Sequence, residues 1–159
     1  MKIILLSKYP PIEGGVSSRN YWLARALGEQ KENVYVVTNA LRVEEKYRAT
    51  LDMAGDHKEY HPQNVSVFSL NFPPPAHIPY SEAYLSRLVN LGLKVIGEHG
   101  GDVIYAHYLE PYAAAGFILK KLTGLPLIVR HAGSDIYRLF ASEEFRYFLG
   151  RVIQGADVF

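Results

Sequence analysis

The feature that most constrains this chain is a regular alternation of short apolar runs with longer helical patterns. Lys2–Leu6 (KIILL), Asn33–Thr38 (NVYVVT), Val65–Leu70 (VSVFSL), Asp102–Ala106 (DVIYA) and Pro126–Arg130 (PLIVR) each read as a strand, being short, apolar and mostly β-branched or aromatic. Between them, Val16–Gln30 places Val16, Leu23, Ala24 and Leu27 on one helical face. A long helix capped by Ser81 carries Leu85, Leu88, Val89, Val95 and Ile96 and stops at Gly100-Gly101. Pro111–Thr123 is an alanine-rich helix stopped by Gly124, and Glu143–Gln154 is another, with Phe145, Phe148, Leu149 and Val152 apolar. Ala156–Phe159 reads as a sixth strand at its start. Strands separated by helices pair in parallel through right-handed crossovers, so the expected class is α/β: one open parallel sheet with helices on both faces. The fifth run is short and apolar enough to be expected at the centre of that sheet.

Two stretches do not follow the alternation. Ala40–Pro62 mixes many charges with Leu41, Val43, Tyr47 and Leu51 and reads as an irregular or partly helical excursion. Asn71–Tyr80 holds Pro73, Pro74, Pro75 and Pro79 and reads as an extended loop. The 159 residues suffice for one domain with a proper core. A net charge of +1 gives no electrostatic reason to expect a nucleic-acid partner. The absence of cysteine excludes disulfides, thiolate metal sites and a cysteine nucleophile, and fits a reducing compartment. The apolar IILL start is too short for a signal-peptide core, and no run approaches the roughly eighteen apolar residues of a membrane span, so a cytoplasmic location is expected.

In an open parallel sheet, ligands gather beyond the carboxyl ends of the strands, near the point where strand order reverses. Three loops there carry chemistry. After the first strand, Pro10 and Pro11 stop the run and Gly14-Gly15 open a helix, leaving unpaired N–H groups and the positive helix end beside one spot, as a phosphate or diphosphate requires. The same glycines could simply close a turn. The fourth strand runs into His107-Tyr108-Leu109-Glu110-Pro111, and the fifth into His131-Ala132-Gly133-Ser134-Asp135. Each of these has a structural alternative: a histidine satisfied by backbone, a first-turn acid at Glu110, a cap at Asp135. His57 and His61, four apart, have metal-ligand spacing but no nearby third ligand, and no Asp-x-Asp motif is present.

Taken in order, these motifs resemble the N-terminal domain of the retaining family 4 glycosyltransferases. They are PPIEGGV at 10–16, LARAL at 23–27, VYVVT at 34–38, DVIYAH at 102–107, GLPLIVRHAGSD at 124–135 and GADV at 155–158. Asn33 stands where members often have a Gly-His pair. The resemblance implies a Rossmann-like domain, the first half of a GT-B architecture. It also implies a second, C-terminal domain holding most of the sugar-nucleotide site, to which nothing in residues 1–159 corresponds, so the chain is expected to be inactive alone.

By the same resemblance, the backbone at Gly14, Gly15 and Val16 would approach the donor diphosphate, where charge builds as the glycosidic bond breaks. His131 would lie near the reacting sugar, hydrogen-bonding the donor sugar or helping to balance charge in an oxocarbenium-like state, without acting as general base. Arg19, Tyr21, His107, Glu110, Ser134 and Asp135 would line the acceptor pocket. The donor would be a nucleotide-diphosphate sugar, used as substrate with no cofactor and no metal. The acceptor would be a sugar, a lipid or a small alcohol, a lipid bringing peripheral membrane contact. Two other classes stay open: a non-catalytic α/β ligand-binding domain, and a dinucleotide-binding oxidoreductase domain. The latter fits poorly, since the first loop lacks G-x-G-x-x-G and no acid closes the second strand, which ends Val37-Thr38-Asn39.

Overall fold

The computed structural model describes residues 1–39, 61–70 and 84–159. The strands are β1 (Lys2–Leu6), β2 (Asn33–Thr38), β3 (Val65–Ser69), β4 (Val103–His107) and β5 (Leu127–Arg130). The helices are α1 (Gly15–Glu29), α2 (Tyr84–His99), α3 (Ala114–Thr123) and α4 (Glu143–Gln154). Two wide helical turns, Leu109–Ala113 and Ile136–Phe140, follow β4 and β5. The excursion at residues 40–60 with His57, the proline loop and the Ser81 cap lie outside the described residues.

The five strands are all parallel, in the order β3-β2-β1-β4-β5. β1 is therefore the centre, and its alternation shows why the run is apolar on every residue. Ile4 and Leu6 enter a core with Ile104, Leu127, Leu88, Leu119 and Leu149 under α2, α3 and α4, whereas Ile3 and Leu5 enter a second core with Val34, Val36 and Ala24 under α1. Helices thus cover both faces, as the alternation predicts.

The third helix starts at Ala114, past the wide turn, and not at Pro111, and three further features differ from the sequence reading. β5 is not central: it ends the row of named strands, with one parallel bridge from Ile128 to Val158 on its far side. Its apolar run serves one well-packed face, where Leu127 and Val129 are buried while Ile128 is only half-buried. On α1 the buried stripe is Ser17, Asn20, Ala24 and Gly28, and Val16, Leu23 and Leu27 only flank it. The small stripe lets the helix sit close: a Cβ at Gly28 would collide with the Gln63 carbonyl oxygen. β4 extends one residue further than expected and takes in His107, which places that side chain on the strand itself.

Candidate functional site

The strand order reverses between β1 and β4, so the switch point lies where Ser7, Lys8 and His107 leave the sheet. Around it the β1–α1 loop, the β4 turn and the β5 loop converge. Gly14 caps α1 with φ 125° and ψ 164°, a conformation essentially reserved for glycine, and offers no side-chain cap. The bond from Ser18 N to Gly14 O (3.0 Å) starts the helix, which leaves the amides of Gly15, Val16 and Ser17 pointing outward. Space above them is open: a Cβ on Gly14 or Gly15 would find nothing within 4 Å. The positive φ belongs to Gly14 and not to Gly15, so a side chain at Gly15 would meet no backbone strain and would only fill that space.

Beneath this loop runs a buried polar chain. Asn20 Nδ2 donates to Ser7 Oγ (2.5 Å), to the Val16 carbonyl (2.8 Å) and, at longer range, to the Lys8 carbonyl (3.4 Å). Ser7 Oγ donates to the His107 carbonyl (3.3 Å), and Asn20 Oδ1 faces His107 Nδ1 at 3.2 Å. His107 is fully buried, and its pKa is pushed down to about 4, first by burial and then by the charges of Arg130 and Arg19. The ring is neutral above that value. Glu110 is half-buried, and burial raises its carboxyl above the usual range. Between them Tyr108 holds φ 90°, a rare conformation for a bulky residue.

Asp135 lies deeper than the acceptor-lining role expects. Fully buried, it accepts N–H groups from Leu109 (3.0 Å), Ala132 (2.9 Å) and Ile136 (3.0 Å). It thereby ties the β4 turn to the β5 loop and caps the turn that follows. His131 is exposed at the mouth of that loop. Gly133 N donates to its Nδ1 (3.1 Å), so in the neutral ring Nε2 carries the hydrogen, and Phe159 stacks on it at 5.5 Å. Ser134 is exposed beside it, and Arg19 is exposed on α1. Tyr21 stands apart from these: it lines a recess of about 400 Å³ with Pro10, Pro11, Glu13, Gly14 and Ser17 on the flank of the glycine loop. A larger recess, about 580 Å³ along the outer face of α4, has none of the expected site residues in its wall.

Asn20, Ser7 and Tyr108 are site residues that the sequence reading misses. A polar residue in register with Ala24 and Gly28 on the buried stripe of α1 is the signal that marks Asn20. Nothing in the sequence marks the strained Tyr108.

Residues 14–159 match the glycosyl transferase 4-like domain. The chain belongs to that family. Membership replaces the dinucleotide-oxidoreductase reading with a glycosyltransferase domain. Among solved structures, sucrose-phosphate synthase from Thermosynechococcus elongatus superposes with a TM-score of 0.54 at 15% identity, covering 99% of this chain and 74% of that one. A UDP-N-acetylglucosamine 2-epimerase gives 0.49 at 14% identity, covering 99% of this chain and 40% of that one. At such identity the likeness to the synthase is one of fold, and together with the family match it is consistent with the Rossmann-like N-terminal domain of a GT-B glycosyltransferase. No curated protein matches the sequence significantly. Among the described residues no helix is long and apolar enough to cross a membrane.

Proposed function

We propose that this domain is the acceptor side of a retaining glycosyltransferase that moves a sugar from a nucleotide-diphosphate sugar to an acceptor hydroxyl. The observation that carries the reading is the uncapped N-terminus of α1, open above Gly14 and Gly15 beside the switch point, in a chain of this family. Its outward amides and helix dipole would hold the donor diphosphate and stabilise the charge that gathers there as the sugar leaves. Lys8, Arg19 and Arg130 have no carboxylate partner among the described residues and add positive potential at the same edge.

His131 would donate from Nε2 to the donor sugar, its tautomer set by the Gly133 amide. The departing phosphate, and not His131, would take the acceptor proton. Glu110, Ser134 and Arg19 would face the acceptor. Asp135 would act by holding the two loops in register and His107 from below. A C-terminal domain would supply the rest of the donor site, so the isolated domain should bind a nucleoside diphosphate weakly and transfer nothing.

Calorimetric titration with a nucleoside diphosphate tests the reading. Weak binding is expected, and Gly15→Val should reduce affinity at least about tenfold with the fold intact, because its methyls would occupy open space where the phosphate sits. Unchanged affinity in that variant, or preferential binding of NAD(P), would overturn it. In a form of the enzyme that transfers sugar, His131→Ala should lower turnover at least about tenfold without loss of stability, the side chain being exposed.

A further inference from the structure

The recess of about 580 Å³ along the outer face of α4 takes no part in the site at the switch point. Glu143, Arg146, Tyr147, Gly150 and Arg151 line it. α4 turns Leu149 and Val152 into the core, so the opposite face is expected to be polar and solvated. Three features go beyond a solvated face. Gly150 stands in the helix interior without a positive φ, where glycine is the poorest residue after proline. Among the described residues nothing requires it, since a Cβ there would meet only Phe140 Cε2 at 3.9 Å. Tyr147, one turn earlier on the same face, is 78% exposed. Finally, Arg151 lies over the Tyr147 ring at 5.6 Å, and neither it nor Glu143 has an ion-pair partner among the described residues. Arg146 is already used, donating to the carbonyl oxygens of Phe140 (3.4 Å) and Ala141 (3.1 Å).

The spacing makes this face complementary to itself. Glu143 and Arg151 stand four residues before and four after Tyr147, so all three share one side of the helix. A second copy laid antiparallel, with its Tyr147 at the same crossing point, sets Glu143 of each chain against Arg151 of the other. Both ion pairs form together, as a two-fold axis requires. A parallel copy would set like charges against each other, so charge selects the antiparallel pairing. Helical side chains lean toward the amino end of their own helix. In the antiparallel copy that lean carries the Tyr147 ring over the turn holding Gly150 and Arg151 of the first chain. The missing Cβ leaves room for the ring there. Arg151 then lies between its own Tyr147 and the Glu143 carboxylate of the second copy.

We propose that this face of α4 is a self-association surface, where two copies of the chain pair antiparallel through Tyr147, Gly150 and reciprocal Glu143–Arg151 contacts. The inference goes beyond the transferase reading and does not depend on it. A helix of 12 residues spans about 18 Å, a small face for a dimer, so a reversible pair with Kd on the order of 10 µM is expected.

Sedimentation velocity of the full chain at low salt, from about 1 to 300 µM, should show monomer passing into dimer. Glu143→Arg sets arginine against arginine, and Arg151→Glu sets glutamate against glutamate. Each variant alone should therefore dimerise at least about tenfold more weakly. An equimolar mixture of the two opposes unlike charges at both contacts and should restore the dimer. Gly150→Gln gives a second measurement that does not depend on either charge variant folding. As a better helix former, glutamine should raise the unfolding temperature of the dilute monomer, yet by filling the gap it should weaken the dimer at least about tenfold. A chain that stays monomeric throughout, whether or not it floats with phosphatidylglycerol vesicles, overturns the proposal. So does a dimer indifferent to Gly150→Gln and to both charge reversals, or a mixture of folded charge variants that stays monomeric.

Discussion

The two ends of the parallel sheet are built from the same strands and finished in opposite ways. At the amino end several backbone groups and charges are paired. Asp102 accepts from Lys2 N (2.7 Å), Asn33 N donates to the Met1 carbonyl (3.0 Å), and the chain's amino group pairs with Glu32. Asp157 accepts both Leu127 N (2.7 Å) and Lys120 (2.6 Å). Among the described residues of the carboxyl end, Ser17, Asn39 and His107 keep buried polar atoms without a hydrogen bond, Tyr108 holds φ 90°, and the helix of the first loop opens uncapped onto free space. Packing does not separate the ends, since β1 is buried along nearly its whole length. Polar satisfaction does. One end is closed for stability; the other keeps unmet hydrogen bonds that a ligand can complete.

Substitutions at each end can break that comparison. The largest effect is expected at Asp135, a fully buried residue of the carboxyl end whose carboxylate is engaged by three backbone amides. Asp135→Ala orphans three backbone amides and should destabilise the domain by about 3 kcal/mol in chemical denaturation. A loss under about 1 kcal/mol would mean the two loops hold their register without it.

His107 should give the next largest effect, through pH. Its folded pKa, about 4, lies below the ordinary value of 6.5, so the unfolded chain binds the extra proton first as pH falls. Stability should therefore be full above pH 6.5 and decline down to about pH 4, by on the order of 2 kcal/mol for this group. Denaturation at pH 7 and pH 4.5 should show that decline in the wild type and less of it in His107→Gln; equal declines would place the ring in solvent. Glu110 works in the opposite sense. Burial raises its folded pKa, so its ionisation weakens the fold as pH rises, and Glu110→Gln should slightly stabilise the domain at neutral pH.

The smallest effect belongs to the amino end. Asp102→Ala removes the acceptor for Lys2 N and should cost about 1 kcal/mol, with nucleoside-diphosphate affinity unchanged. A matching loss of affinity would show that the two ends are not independent.

The class of fold was legible because period-two and period-3.6 apolar patterns are local: KIILL can only be buried on both faces, and EEFRYFLGRVIQ begins and ends as a helix where its residues say it should. The family was legible too, since residues 14–159 match the glycosyl transferase 4-like domain that the motifs resemble. The position of β5 was not, since an apolar run records that a face is covered and says nothing about what lies beside it. Nor could the sequence show that Asp135 is buried in three backbone bonds, that Gly14 and not Gly15 carries the positive φ, or that Asn20 turns its amide toward His107 across 87 residues of chain. Those are facts about which groups meet, and a side chain's partner, tautomer and pKa are set by neighbours that only the folded sheet brings together. The sequence determined a parallel α/β domain of this transferase family; the tertiary structure decided which of its polar residues were used up in holding the edge and which were left unpaired there.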